Sequence, residues 1–172
     1  MRSCPVPGQT GLRKEFLLST RYRSKRERRI LFGLFLIYVI LMVYFLFFAE
    51  MFGRGDPGIN GHNFVPFHEI GRYLRYRRRI GVYLTALNLG GNIAAFVPFG
   101  LFLPMLVRRN SGWGVVLAGF LTSCLVELIQ LVSGLGTCDV DDIILNTLGV
   151  VVGLICYKIA HAIRAGIERA RR

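Results

Sequence analysis

Between Ser123 and Gly153 the chain reads SCLVELIQLVSGLGTCDVDDIILNTLGVVVG, two apolar runs with Glu127, Gln130, Asp139, Asp141, Asp142 and Asn146 set in or beside them. Carboxylates and amides in such surroundings can do two kinds of chemistry. With Asn88 and Asn92 from an earlier apolar run, Glu127, Gln130, Asp139, Asp142 and Asn146 can line a hydrogen-bonding pocket for a polar headgroup. Alternatively, a buried Glu127 and a solvated Asp142 can serve as acid and base on a headgroup, because unlike environments separate the tendencies of two carboxyls to hold a proton. They are the weak candidates for catalysis. Other chemistries find little support. Ser123 has no residue that reads as its base, and neither G-x-S-x-G nor a phosphate-binding Gly loop occurs. His62 and His68 have no carboxylate at ligand spacing, so no metal site is expected, and no cofactor is implied.

Composition decides where these residues sit. The chain has 172 residues, 53% of them apolar, with a net charge of +12 from 22 Lys and Arg against 10 Asp and Glu. A mean hydropathy of +0.47 is too high for a soluble domain of this length and points to a small polytopic membrane protein. The basic residues cluster between the apolar runs, a pattern of membrane topology; no nucleic-acid reading motif accompanies them, and no nucleic-acid partner is expected. Cys4, Cys124, Cys138 and Cys156 lack C-x-x-C spacing and read as free thiols.

The expected fold is all-α, a bundle of four transmembrane helices at about residues 30–49, 85–107, 113–133 and 139–163. A run of about twenty apolar residues matches a hydrocarbon core of ~30 Å at ~1.5 Å rise per residue. Residues 1–29 form a basic tail, 30–163 the membrane domain and 164–172 a second basic tail. The basic block before Ile30 places the N-terminus in the cytoplasm, and four spans return the C-terminus there. The first run lacks a small-residue cleavage site and reads as a retained anchor. Pro98 should kink the second membrane helix, and Asp139 should cap the fourth, with Asp141 and Asp142 in its first turn. Arg72, Arg75, Arg77, Arg78 and Arg79 lie on the outer side, in a stretch from Phe67 to Ile80 that can form an interfacial amphipathic turn with guanidinium groups at lipid phosphates.

Helical spacing collects the polar residues onto faces. Gly119, Ser123, Glu127, Gln130 and Gly134 share one stripe, and Asp142, Asn146, Gly149 and Gly153 another. Gly149 and Gly153 are a small-xxx-small pair that lets another backbone approach, turning Asp142 and Asn146 inward. Asn88, Asn92, Glu127, Asp142 and Asn146 all fall in the outer half of the bilayer. Interhelical hydrogen bonding alone would also account for Glu127, Gln130, Asn88 and Asn92, and Asp139, Asp141 and Asp142 are equally read as helix-start acids.

The order of four segments resembles the VanZ-like family of small bacterial membrane proteins, named for the teicoplanin resistance protein. They are Asn63-Phe64-Val65-Pro66-Phe67; Asn88-Leu89-Gly90-Gly91-Asn92-Ile93-Ala94-Ala95-Phe96-Val97-Pro98-Phe99-Gly100; Glu127 with Gln130; and Asp139-Val140-Asp141-Asp142-Ile143-Ile144-Leu145-Asn146-Thr147-Leu148-Gly149. The resemblance implies a multi-pass protein of the bacterial cell envelope, linked in the namesake case to lowered susceptibility to teicoplanin-type glycopeptide antibiotics. It carries over no catalytic residues. The expected partners are membrane lipids and a lipid-linked cell-wall precursor, with binding rather than catalysis favoured. A lipid-modifying enzyme and a non-catalytic scaffold subunit are the alternatives, and the oligomeric state is left open.

Overall fold

A computed structural model describes residues 25–48, 62–107, 111–134 and 138–171. The basic tail before Lys25, the loop 49–61, the short basic turn 108–110 and the glycine turn 135–137 lie outside the described residues. Five helices follow one another: α1 Lys25–Phe48, α2 His68–Ile80, α3 Val82–Leu106, α4 Gly112–Ser133 and α5 Val140–Ala170. Among the described residues there is no strand, only an isolated parallel bridge between Asn63 and Asp139. Helices α1, α3, α4 and α5 are each long and apolar enough to cross a membrane. The protein is therefore an all-α polytopic membrane bundle.

Several boundaries differ from the sequence expectation. Helix α1 is helical from the first described residue, Lys25, so it includes part of the basic block, whose Lys, Arg and Glu are good helix formers. Helix α3 begins at Val82 and stays continuous through both Pro98 and Pro104. Each proline removes one N–H from the helical ladder, and the Tyr38 hydroxyl of α1 donates to the Ala95 carbonyl of the same stretch at 2.6 Å. Helix α5 runs through what reads as a tail, to Ala170. At ~1.5 Å per residue its 31 residues reach about 46 Å, beyond a ~30 Å hydrocarbon core.

Specific pairs give the helix directions. Tyr38 meets Ala95 and Phe35 meets Phe99, so α1 and α3 are antiparallel. Gly149 faces Ile93 and Gly153 faces Val97, so α3 and α5 are parallel. Ser123 meets Asn146 and Gly119 meets Val150, making α4 and α5 an antiparallel hairpin. The C-terminal ends of α1 and α4 and the N-terminal ends of α3 and α5 thus share one end of the bundle.

The most extensive interface joins α3 and α5. A methyl carbon added at Gly149 would stand 2.2 Å from the Ile93 carbonyl oxygen, and one at Gly153 2.0 Å from that of Val97. Only glycine permits that approach, so the small-residue pair seats α5 on α3. Beside this seam a buried core is built from Met42, Phe96, Phe99, Val115, Val150 and Leu154.

Candidate functional site

The polar residues gather at the shared end, where α5 starts. Asp139 caps that helix: its carboxylate accepts the Asp141 N–H at 2.8 Å, satisfying a backbone donor that the first turn leaves open. The same Oδ1 accepts from Asn63 Nδ2 at 2.8 Å, and the Asp139 N–H donates to Glu127 Oε2 of α4 at 2.9 Å. Two backbone bonds, Asn63 N–H to the Cys138 carbonyl and Val140 N–H to the Asn63 carbonyl, complete the bridge at 2.9 and 3.0 Å. The Asn-Phe-Val-Pro-Phe segment is therefore stitched to the start of α5. Its Asn63 Oδ1 also accepts the Val65 N–H at 3.1 Å, closing the tight turn that leads into α2.

Asp141 does more than sit in a first turn. Only 1% exposed, it accepts the Phe67 N–H at Oδ1 and the Ile70 N–H, 3.0 Å away, at Oδ2. One carboxylate thus lies at the N-terminal ends of both α5 and α2, where backbone N–H groups and the helix dipoles favour negative charge. Phe67 takes a left-handed backbone, φ 64°, the one non-glycine described residue with positive φ. That conformation costs of order 1–2 kcal/mol and persists because its surroundings hold it, here through the bond to Asp141.

Deeper in the bundle, Asn92 of α3 donates through Nδ2 to Asp142 Oδ1. Asn146, 1% exposed, donates from Nδ2 to the Ser123 hydroxyl at 2.9 Å. Gln130 donates through Nε2 to the Leu46 carbonyl of α1 at 3.5 Å. Asn146 Oδ1 and Gln130 Oε1 are buried without a hydrogen-bond partner among the described residues. These contacts bring Asn92, Glu127, Gln130, Asp139, Asp142 and Asn146 to one end of the bundle. Asn88 lies apart from those contacts, its amide donating to the Leu84 carbonyl of its own helix at 3.0 Å.

Burial at this end has an electrostatic cost. The Asp139 carboxyl is raised above its ordinary value chiefly by desolvation; hydrogen bonds from the Asp141 N–H and Asn63 pull it down, while the charges of Asp141 and Glu69 add to the rise. The neighbouring Cys138 thiol is likewise raised, first by desolvation, then by Glu127 and Asp139. Among the described residues no group of three His, Cys, Asp or Glu is arranged to hold a metal ion.

Helix α2 bridges the starts of α5 and α3. Its N-terminal end rests on Asp141, and at its C-terminal end the single residue Gly81, at φ 99°, turns the chain directly into α3. Arg72 is engaged by Glu69, with Nε 2.9 Å from Oε2, and lies over the Tyr73 ring. Arg75, Arg77, Arg78 and Arg79 are exposed. Ile70 and Tyr73 form part of the half-buried side of the helix.

Reading the sequence alone missed two members of this network. Asn63 appears there only as part of a motif, although Asn two residues before Val65 is a known turn signal. Asp141 reads only as a first-turn acid of the fourth span; nothing in local spacing reveals that its side chain reaches a helix some seventy residues earlier, to Ile70.

A model of the VanZ/LLP1 family matches residues 35–161, which include every element of this site. Comparisons with curated proteins and with solved structures return no match.

Proposed function

The chain belongs to the VanZ/LLP1 family, and from that premise we propose that it is a cell-envelope protein that binds a lipid headgroup or lipid-linked cell-wall precursor at the polar end of its bundle. In this reading that end faces outward from a bacterial cytoplasmic membrane, both termini are cytoplasmic, and occupancy lowers susceptibility to teicoplanin-type glycopeptides. The observation that carries it is the convergence of Asn63, Asn92, Glu127, Asp139, Asp141 and Asp142 from several elements at one end of an otherwise apolar membrane bundle. Polar and ionisable side chains are expensive in such a setting, and natural spans retain them mainly at ligand or ion sites. The arrangement suits binding. Acceptor oxygens for hydroxyl or ammonium groups lie beside a helix whose guanidinium groups suit phosphate, the two chemistries that a lipid-linked precursor combines.

The test expresses the full chain in a glycopeptide-sensitive Gram-positive host, with Glu127→Ala, Asp142→Ala and Asn146→Ala at parental protein levels. Teicoplanin susceptibility is read beside mass spectra of lipids and wall precursors. The expected result is reduced susceptibility with the parent chain, lost in the variants, with no new covalent species. Unchanged susceptibility in every variant would reduce the polar end to helix packing; a new or missing covalent species would require chemistry instead of binding.

A further inference from the structure

Helix α2 carries more charge than its own contacts use. His68, Arg72, Arg75 and Arg79 follow i, i+4, i+7, i+11 and so share one stripe, and Arg78 lies beside it. Glu69 lies beside the start of that stripe: its Oε2 holds Arg72 Nη2 at 2.5 Å, and its Oε1 is 3.4 Å from His68 Nδ1. Arg75, Arg78 and Arg79 follow with no acid partner among the described residues. Spaced i, i+3, i+4, they place three exposed guanidinium groups within about 6 Å of helix axis.

Two further observations fix where this triad sits and how firmly. Large apolar side chains are exposed along and beside the helix: Phe64, Val65 and Phe67 before it, Leu74 and Tyr76 within it, and Tyr83 just after. Aromatic residues with guanidinium groups, at the level where apolar spans begin, mark the headgroup zone of a bilayer. The helix is also pinned at both ends, by the Asp141 carboxylate on the Phe67 and Ile70 amides and by the one-residue turn at Gly81. A receptor held in place before binding loses less entropy when its ligand arrives.

We infer that Arg75, Arg78 and Arg79 form a preorganised receptor for the pyrophosphate of a membrane-borne lipid, with Asp141 as the positioning residue. Charge decides between headgroups. A phosphodiester offers one negative charge to three guanidinium groups and a phosphomonoester up to about two, both on a single phosphate, whereas a lipid pyrophosphate spreads two or more over adjacent phosphates, each able to take a forked guanidinium. The lipid-borne source rests on the binding function proposed above; the pyrophosphate preference rests on the spacing and charge of the arginines.

The full-length chain, purified in a nonionic detergent, is titrated with farnesyl pyrophosphate, farnesyl monophosphate and inorganic pyrophosphate, with dissociation constants read by native mass spectrometry. Farnesyl pyrophosphate should bind at least tenfold more tightly than either of the others. Arg75→Gln with Arg79→Gln, both exposed positions, should weaken it by roughly 30-fold. Asp141→Ala should weaken it by about tenfold even though that variant gains a net positive charge, the reverse of what a simple surface-charge effect produces. Equal binding of the mono- and pyrophosphate lipids, equal binding of inorganic pyrophosphate, or full affinity in the double arginine variant would each overturn the inference. Full affinity in a folded Asp141→Ala protein would overturn the role of pinning. None of these results bears on the alanine variants of Glu127, Asp142 and Asn146, whose glycopeptide readout can fail or succeed independently.

Discussion

The α3–α5 seam and the polar end of the bundle are built from opposite materials. At the seam, Gly149 and Gly153 bring two backbones together, and stability comes from many weak contacts over a surface that tolerates no added atom. At the polar end, Asp139, Asp141 and Asp142 fasten neighbouring elements through a few directed bonds, and at Asp139 burial penalises the charged carboxylate. The contrast separates two roles in one small bundle. The seam can only hold the fold. The polar end holds groups that apolar packing could have replaced, and under the binding function proposed above they are kept for a ligand.

The largest effect should come from breaking the seam. In Gly153→Leu the first added carbon already falls 2.0 Å from the Val97 carbonyl, so α3 and α5 must separate along their whole contact. A loss of about 3 kcal/mol or more is expected, read as a much lower unfolding midpoint in detergent or failure to accumulate. Gly90→Ala is the control. It lies in α3 with nothing within 4 Å of the added carbon, so its midpoint should hold or rise by about 2–4 °C, from alanine's better helix propensity. If both variants behave alike, the seam is not what holds the bundle.

The same contrast explains what the sequence could and could not reveal. The four spans were legible because hydropathy and length are local properties, and the pairing of Gly149 with Gly153 was legible because helical spacing puts them on one face. The gathering of Glu127, Gln130, Asp142 and Asn146 toward one end of the bundle was legible from the same spacing on an α4–α5 hairpin. Which atoms bond was not legible. The cap at Asp139 and the inward face of Asp142 were legible from position, but that Asp141 caps α2 and that Asp142 holds Asn92 were not. Both contacts depend on where α2 and α3 arrive, a property of the whole fold. Helix α2 itself blurred into a turn because its charge masks a short apolar side, and α5 was cut short because its last residues are charged although still helix-forming.

An intermediate effect is expected from Asn146, where the two materials meet. Its Nδ2 bonds Ser123 while its Oδ1 is buried without a partner among the described residues, so the amide is half-satisfied. A half-satisfied buried polar group is worse than an apolar one of similar volume. Asn146→Leu should therefore hold or raise thermal stability, by up to about 1 kcal/mol, while abolishing any glycopeptide phenotype the parent confers. A stability loss above about 2 kcal/mol would make Asn146 a structural strut and extend the seam's logic into the polar end.

The smallest effect concerns the cost of charge at the α5 cap. The folded-state value of Asp139 is raised above the ordinary 3.8, so between 3.8 and the higher folded value the native protein retains a proton that the unfolded chain has lost. The native state then binds more protons than the unfolded state, and stability falls as pH rises through that window. Asp139→Asn removes the titration yet keeps a side-chain oxygen able to accept the Asp141 N–H and the Asn63 amide. Measured from about pH 4 upward, the parent's unfolding midpoint should decline relative to the variant's, with the two curves converging at the acid end. A parent curve that instead climbs relative to the variant's would mean that the hydrogen bonds to Asp139 outweigh its burial, leaving the start of α5 as simple helix capping and weakening the case that this end of the bundle gives up stability for function.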